Sequence, residues 1–149
     1  MANDSGTGQY VVVGVDGSPE SVAALAWAGR YAAATGATVR AIRAWHYPDV
    51  IGFPPEEKAP ASVTDQVKEQ QKQQLTDAIA KARLDPSVQL EAEIVNGHAA
   101  EALIEESNHA SLLVVGHRGH GGFHGMLTGS ISISCVNHAN CPVVVIRGS

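Results

Sequence analysis

The sequence is poor in cysteine, in long apolar runs and in cationic residues, and each shortage excludes something. Only Cys135 and Cys141 are present in 149 residues, too few for a disulfide framework and in keeping with reduced thiols. No apolar run approaches the roughly 20 residues that cross a bilayer, so no membrane span is expected. The 10 Lys and Arg are outnumbered by 15 Asp and Glu, a formal net charge of −5. That balance argues against a nucleic-acid partner, because such binders carry a basic face that releases counterions. A small anion is still compatible with it, since a few backbone N–H groups can hold one locally whatever the global charge. Neither the Lys-Ser/Thr pair of a P-loop nor the tight GxGxxG fingerprint occurs, which counts against a P-loop nucleotidase or a nicotinamide dehydrogenase. The opening "MANDSGTGQY" has neither a basic region nor an apolar core. A secretory signal is therefore not expected, residues 1–8 read as a flexible lead-in, and a cytoplasmic location is the default.

What is present, 44% hydrophobic and 17% charged residues, is the composition of one folded domain with one core. The run "VVVGV" (residues 11–15) is β-branched and continuous, as in a strand buried on both faces of a parallel sheet. Ser18 and Pro19 supply an N-cap and a first-turn proline. Val22, Leu25, Ala26, Gly29 and Ala33 follow as an apolar stripe, and Gly36 can end that helix after Thr35. "TVRAIRAW" (38–45) is a second strand, its arginines placing it nearer an edge. Residues 46–62, with four prolines, form a loop. From Val63 to about Leu84 a polar segment carries a narrow apolar stripe at Val63, Val67, Leu75, Ile79 and Ala82, as in a surface helix.

"VQLEAEIV" (88–95) alternates as a strand with one exposed face. A turn and a short helix in "NGHAAEALIEESNHA" precede the apolar strand "SLLVVG", and "PVVVIR" is a last apolar strand. "SISISCV" (130–136) alternates with period two, a strand signal, yet its place between two parallel strands demands a crossover helix. Strands alternating with helices predict an α/β fold: a single three-layer domain, a five-stranded parallel sheet with helices on both faces and right-handed crossovers.

In such a sheet ligands bind outside the carboxyl ends of the strands, where the strand order reverses. The turns after the first and fourth strands are the best candidates, because those strands look most central. The fourth opens "GHRGHGGFHGMLTGS", with Gly116, Gly119, Gly129 and then Ser130 at the head of the expected helix. Glycines let a ligand approach the backbone, and a helix N-terminus offers unpaired N–H groups to an anion. A phosphate cradle and a merely flexible loop fit these residues about equally. His117, His120 and His124 suggest a zinc site, but a glycine-rich loop does not preorganise ligands, so no metal is assigned. Cys135, His138 and Cys141 read as small thiols and a helix-end histidine, since Pro142 pulls Cys141 off the helix. No catalytic constellation is legible.

The spacing Gly116, Gly119, Gly129, Ser130 resembles the nucleotide-binding signature of the universal stress protein family. "VVVGVDGSPES" is similar to that family's opening, "GHAAEALIEES" to its helix after the third long strand, and "NHANCPVVVIR" to its closing segment. The resemblance implies a Rossmann-like, adenine nucleotide alpha hydrolase-like fold that holds ATP between the first and fourth strands, with Mg²⁺ offsetting the charge of the phosphate tail. It implies that Gly14, Val15 and Asp16 border the adenosine, with the Asp16 carboxylate accepting from ribose hydroxyls, and that the backbone of Ala44 meets the adenine edge. Gly116, His117, Arg118 and Gly119 would wrap ribose and phosphates; Gly129, Ser130 and Ile131 would donate to the phosphate tail. Any turnover would be at most slow ATP hydrolysis, Asp16 being a binding group. Cyclic AMP is the alternative ligand. A homodimer is implied through the last strand, Val143 to Arg147, paired antiparallel with its copy; an apolar strand at a sheet edge needs covering. The competing reading is a dimeric interaction module that holds no nucleotide.

Overall fold

The computed structural model describes residues 9–45, 61–117 and 130–147. Strand β1 (Tyr10–Gly14) uses the β-branched run, and Val11, Val12 and Val13 are all buried, so both faces of the strand are covered. Helix α1 (Pro19–Thr35) begins where Ser18 Oγ accepts from the Ser21 N–H at 3.2 Å. It ends where Gly36, at φ 81°, turns left-handed and donates to Ala32 O at 2.8 Å. Strand β2 (Thr38–Trp45) follows, then α2 (Ala61–Ala82), β3 (Leu90–Asn96), α3 (Ala99–Glu106) with a 3₁₀ turn over Ser107–His109, β4 (Leu112–Gly116), α4 (Ser130–His138) and β5 (Val143–Ile146).

All strand pairs are parallel, in the order β3-β2-β1-β4-β5. The alternation of side chains along β1 builds the three layers. Val11 and Val13 pack with Ala24, Leu25, Leu75 and Ala78 beneath α1 and α2. Val12 packs with Leu103, Leu113 and Cys135 beneath α3 and α4. The five-stranded α/β architecture is therefore as the alternating pattern predicts, and "SISISCV" is helical: the parallel crossover overrides the local period of two.

Three local expectations are corrected. The buried stripe of α1 is Ser21, Ala24, Leu25, Ala28, Gly29 and Ala32, while Ala33 faces solvent; in a helix so rich in alanine the apolar pattern barely marks one face. Helix α2 starts at Ala61 rather than Val63 and stops at Ala82, where Arg83 turns left-handed at φ 53°. Strand β3 begins two residues later than "VQLEAEIV" suggests, and its Ala92 is exposed with its glutamates, because β3 is an edge strand with little helix cover. Strand β2 is one in from that edge. Its Arg40 is drawn onto one sheet face by Glu91 at 3.0 Å, Glu106 at 3.0 Å and Glu93. The lead-in 1–8 and residues 46–60 of the proline-rich loop lie outside the described residues.

Candidate functional site

The strand order reverses between β1 and β4: β2 and β3 lie on one side of β1, β4 and β5 on the other. The chain therefore parts at the carboxyl ends of those two strands, and a cleft opens there, as the switch-point rule requires. It is concave, lined mainly by apolar atoms and open to solvent on one side, the general character of small-molecule sites. Gly14, Val15 and Asp16 form one wall, Ala44 and Ile42 the β2 side, and Val115, Gly116, Ile131 and Ser132 the other wall. Ala99 and Leu103, one turn apart on α3, close the end.

Asp16 is fixed by a compact turn. Its Oδ1 accepts from the Ser18 N–H at 2.8 Å, and its own N–H donates to Ser21 Oγ at 3.3 Å. Ser21 Oγ in turn donates to Ser18 O at 2.9 Å. The carboxylate thus sits half-buried at the head of α1, where the helix dipole favours negative charge.

Gly116 is held by close packing. A Cβ there would lie 2.8 Å from Glu20 Cβ and 3.1 Å from its backbone carbon, so the first turn of α1 rests directly on β4. Next to it, the His117 N–H donates to Ile146 O at 2.6 Å, extending the β4–β5 ladder. Its carbonyl accepts from Ser132 Oγ at 3.2 Å, which joins α4 to the end of β4. The N-terminal turn of α4 begins at Ser130, and its Ile131 and Ser132 line the cleft with Gly116.

A model of the universal stress protein family matches residues 9–147. The chain belongs to the universal stress protein family. Universal stress protein Rv1996 of Mycobacterium tuberculosis is 36% identical over 137 residues, which are 92% of this chain and 43% of that protein. The chain thus spans less than half the length of the curated relatives it matches. A universal stress protein solved in complex with cAMP is 26% identical, with a TM-score of 0.60 over 95% of this chain and 98% of the other. The Archaeoglobus fulgidus universal stress protein solved in complex with dAMP shares the fold at 18% identity, with a TM-score of 0.62 over 93% and 97% of the two chains.

Of the residues that the family signature implies, the cleft brings together Gly14, Val15, Asp16, Ala44, Gly116 and Ile131. Ser130 heads α4 and is exposed. His117 is buried and does not line the cleft; its backbone is engaged with β5 and α4. Arg118, Gly119 and Gly129, with His120 and His124, lie outside the described residues. Sequence reasoning missed Ser18, Ser21, Ala99, Leu103 and Ser132. Only Ser18 carried a local signal, as an N-cap; the others reach the cleft through tertiary placement of their helices. No group of three or more His, Cys, Asp or Glu that could hold a metal occurs among the described residues, nor does any helix there have the length and apolarity to cross a membrane.

Behind the cleft wall Cys135 is fully buried, and burial, helped by nearby Cys141, pushes its thiol from 9.0 up to about 11. Thiolate is the reactive form. Native Cys135 is therefore expected to resist alkylation by iodoacetamide at pH 8, while the half-exposed Cys141 reacts first; mass spectrometry of the alkylated peptides checks this. Because the folded thiol holds its proton more tightly than the unfolded one, this group stabilises the fold below pH 9 and that contribution is lost as pH rises towards 11.

Proposed function

We propose that this universal stress protein domain binds ATP between β1 and the glycine-rich loop after β4, as a regulatory protein whose nucleotide occupancy biases a conformation or a partner surface. The observation that carries this reading is the convergence of Gly14, Val15, Asp16, Ala44, Gly116 and Ile131 on one cleft at the switch point. Its lining is mostly apolar, with the Asp16 carboxylate and three serine hydroxyls at defined places, which suits a planar base and a hydroxylated sugar. The N-terminus of α4 and the loop carrying Arg118, Gly119 and Gly129 would take the phosphates. Asp16 acts as a binding group for ribose hydroxyls. A single carboxylate, already accepting from Ser18, makes no protein cage for Mg²⁺; the ion would enter with the phosphate oxygens, as Mg²⁺ commonly does.

Isothermal titration with ATP, cyclic AMP and AMP at pH 7 tests the reading. Saturable binding of ATP is expected, with cyclic AMP the second candidate because a solved relative holds it. Absence of binding by all three leaves the nucleotide-free interaction module.

We also propose that Val143 to Arg147 pairs with a second copy. Strand β5 is at the sheet edge, and each of its residues from Val143 to Ile146 is only half-buried. On the neighbouring α4, Ile133 and Val136 are 43% and 55% exposed, apolar surface that a second copy would cover. Sedimentation at micromolar concentration should give a dimer; a monomer contradicts the pairing.

A further inference from the structure

On the far side of β2 from the cleft lies a cation whose hydrogen bonding is incomplete. Ala44 lines the cleft, so its neighbour Arg43 projects to the opposite face, between β2 and α2. Its Nε donates to Gln71 Oε1 at 2.7 Å and its Nη2 to Gln74 Oε1. This explains why α2 places a glutamine, 5% exposed, in its buried stripe one turn from Val67 and one turn from Leu75. The remaining terminal nitrogen, Nη1, is buried without a hydrogen-bond partner. It lies beneath the β1–α1 turn, 3.8 Å from where a Cβ on Gly17 would stand. A buried, unspent guanidinium N–H is costly, and packing of α2 alone does not call for a cation there.

The turn above Nη1 carries the Asp16 carboxylate, one residue before Gly17. Burial pushes the Arg43 guanidinium below its ordinary value and the Asp16 carboxylate pulls it back. Arginine stays protonated in proteins, so Arg43 is a permanent positive charge behind the turn, and attraction between opposite charges favours the ionised form of both partners.

We propose that Arg43 is a positioning residue that acts through Asp16: anchored by Gln71 and Gln74 behind the sheet, it keeps the Asp16 carboxylate ionised and ready to accept from the ligand. The consequence for binding rests on the reading of Asp16 as a ribose-binding group. The other titratable side chains on the described elements around the turn are Glu20 on α1, His98 ahead of α3 and His117 after β4. Glu20 carries charge of the same sign as Asp16, whereas the Arg43 guanidinium is a permanent cation.

The test is carbon-13 NMR titration of the Asp16 carboxyl in the nucleotide-free protein, assigned with Asp16→Asn, comparing wild type, Arg43→Met and Arg43→Lys. ATP titrations across the same pH range run alongside. In Arg43→Met the carboxyl midpoint is expected to rise by roughly one pH unit, and nucleotide affinity to fall off at a correspondingly higher pH. Arg43→Lys keeps the charge while losing the forked contacts with Gln71 and Gln74, and should stay near wild type in its midpoint whatever its stability. Superimposed titrations of wild type and Arg43→Met overturn the proposal. So does a shift in Arg43→Lys as large as in Arg43→Met, which would mark a packing role. A raised midpoint in Arg43→Met with no nucleotide binding by wild type upholds the link to Asp16 and removes the ribose reading instead.

Discussion

Gly116→Ala is expected to lower the unfolding free energy by about 1–3 kcal/mol, the usual cost of overpacking, and to weaken nucleotide binding at the same time. The first turn of α1 crosses the end of β4 so closely that a methyl at Gly116 would sit 2.8 Å from Glu20 Cβ, 3.1 Å from its backbone carbon and 3.2 Å from its carbonyl oxygen. Side-chain rotation cannot relieve contacts with backbone. Helix α1 must move instead, and with it Ser18 and the turn that orients Asp16. Urea unfolding and calorimetric titration of the same preparation check both effects. Unchanged stability would mean that the close approach of α1 to β4 is absent in solution. Gly116 serves the packing of α1 on β4, so loss of binding in Gly116→Ala reports that packing together with any phosphate contact.

Ala99→Trp separates the two roles. Ala99 is half-exposed at the end of the cleft, on the first turn of α3, where an indole can fill the space proposed for the base without displacing core side chains. Affinity for ATP is expected to fall by about a hundredfold or more, equivalent to roughly 3 kcal/mol. Unfolding free energy should stay within about 0.5 kcal/mol of wild type, as for substitutions that leave the core alone. Calorimetric titration and thermal unfolding together decide it. Undiminished ATP binding in a folded Ala99→Trp would place the ligand elsewhere.

The contrast between these residues explains what the sequence could reveal. Where local chemistry decides the structure, it was readable. Ser18, Pro19 and Gly36 bounded α1, Thr38 and Trp45 bounded β2, and the apolar runs marked β1 and β4 as central. Where two neighbours decide, it was not. Nothing near Ala99 or Leu103 in the sequence says that α3 closes a cleft between β1 and β4. Gln71 looks like a surface residue of a polar helix until Arg43 is found against it. Nor could the exposure of Ala33 be read from a helix whose small residues look apolar on every side.

The family signature supplied the site residues through Gly116, Gly119, Gly129 and Ser130, yet His117 shows its limit. The position fits the signature loop, while its N–H and carbonyl are already committed to Ile146 and Ser132. That commitment ties the loop's first residue to β5, the strand proposed to pair between copies. Asp16 likewise combines a readable motif, a short acidic turn after a buried strand, with the unreadable approach of Arg43 to that turn from the opposite face of the sheet.

Amide chemical-shift mapping during titration with ATP tests the location of the nucleotide most directly. Shifts concentrated at Gly14, Val15, Asp16, Ala44, Gly116, Ser130 and Ile131 are the predicted result. Saturation with no change at these amides, or with changes centred on the opposite ends of the strands around Tyr10, Arg40 and His109, would contradict it.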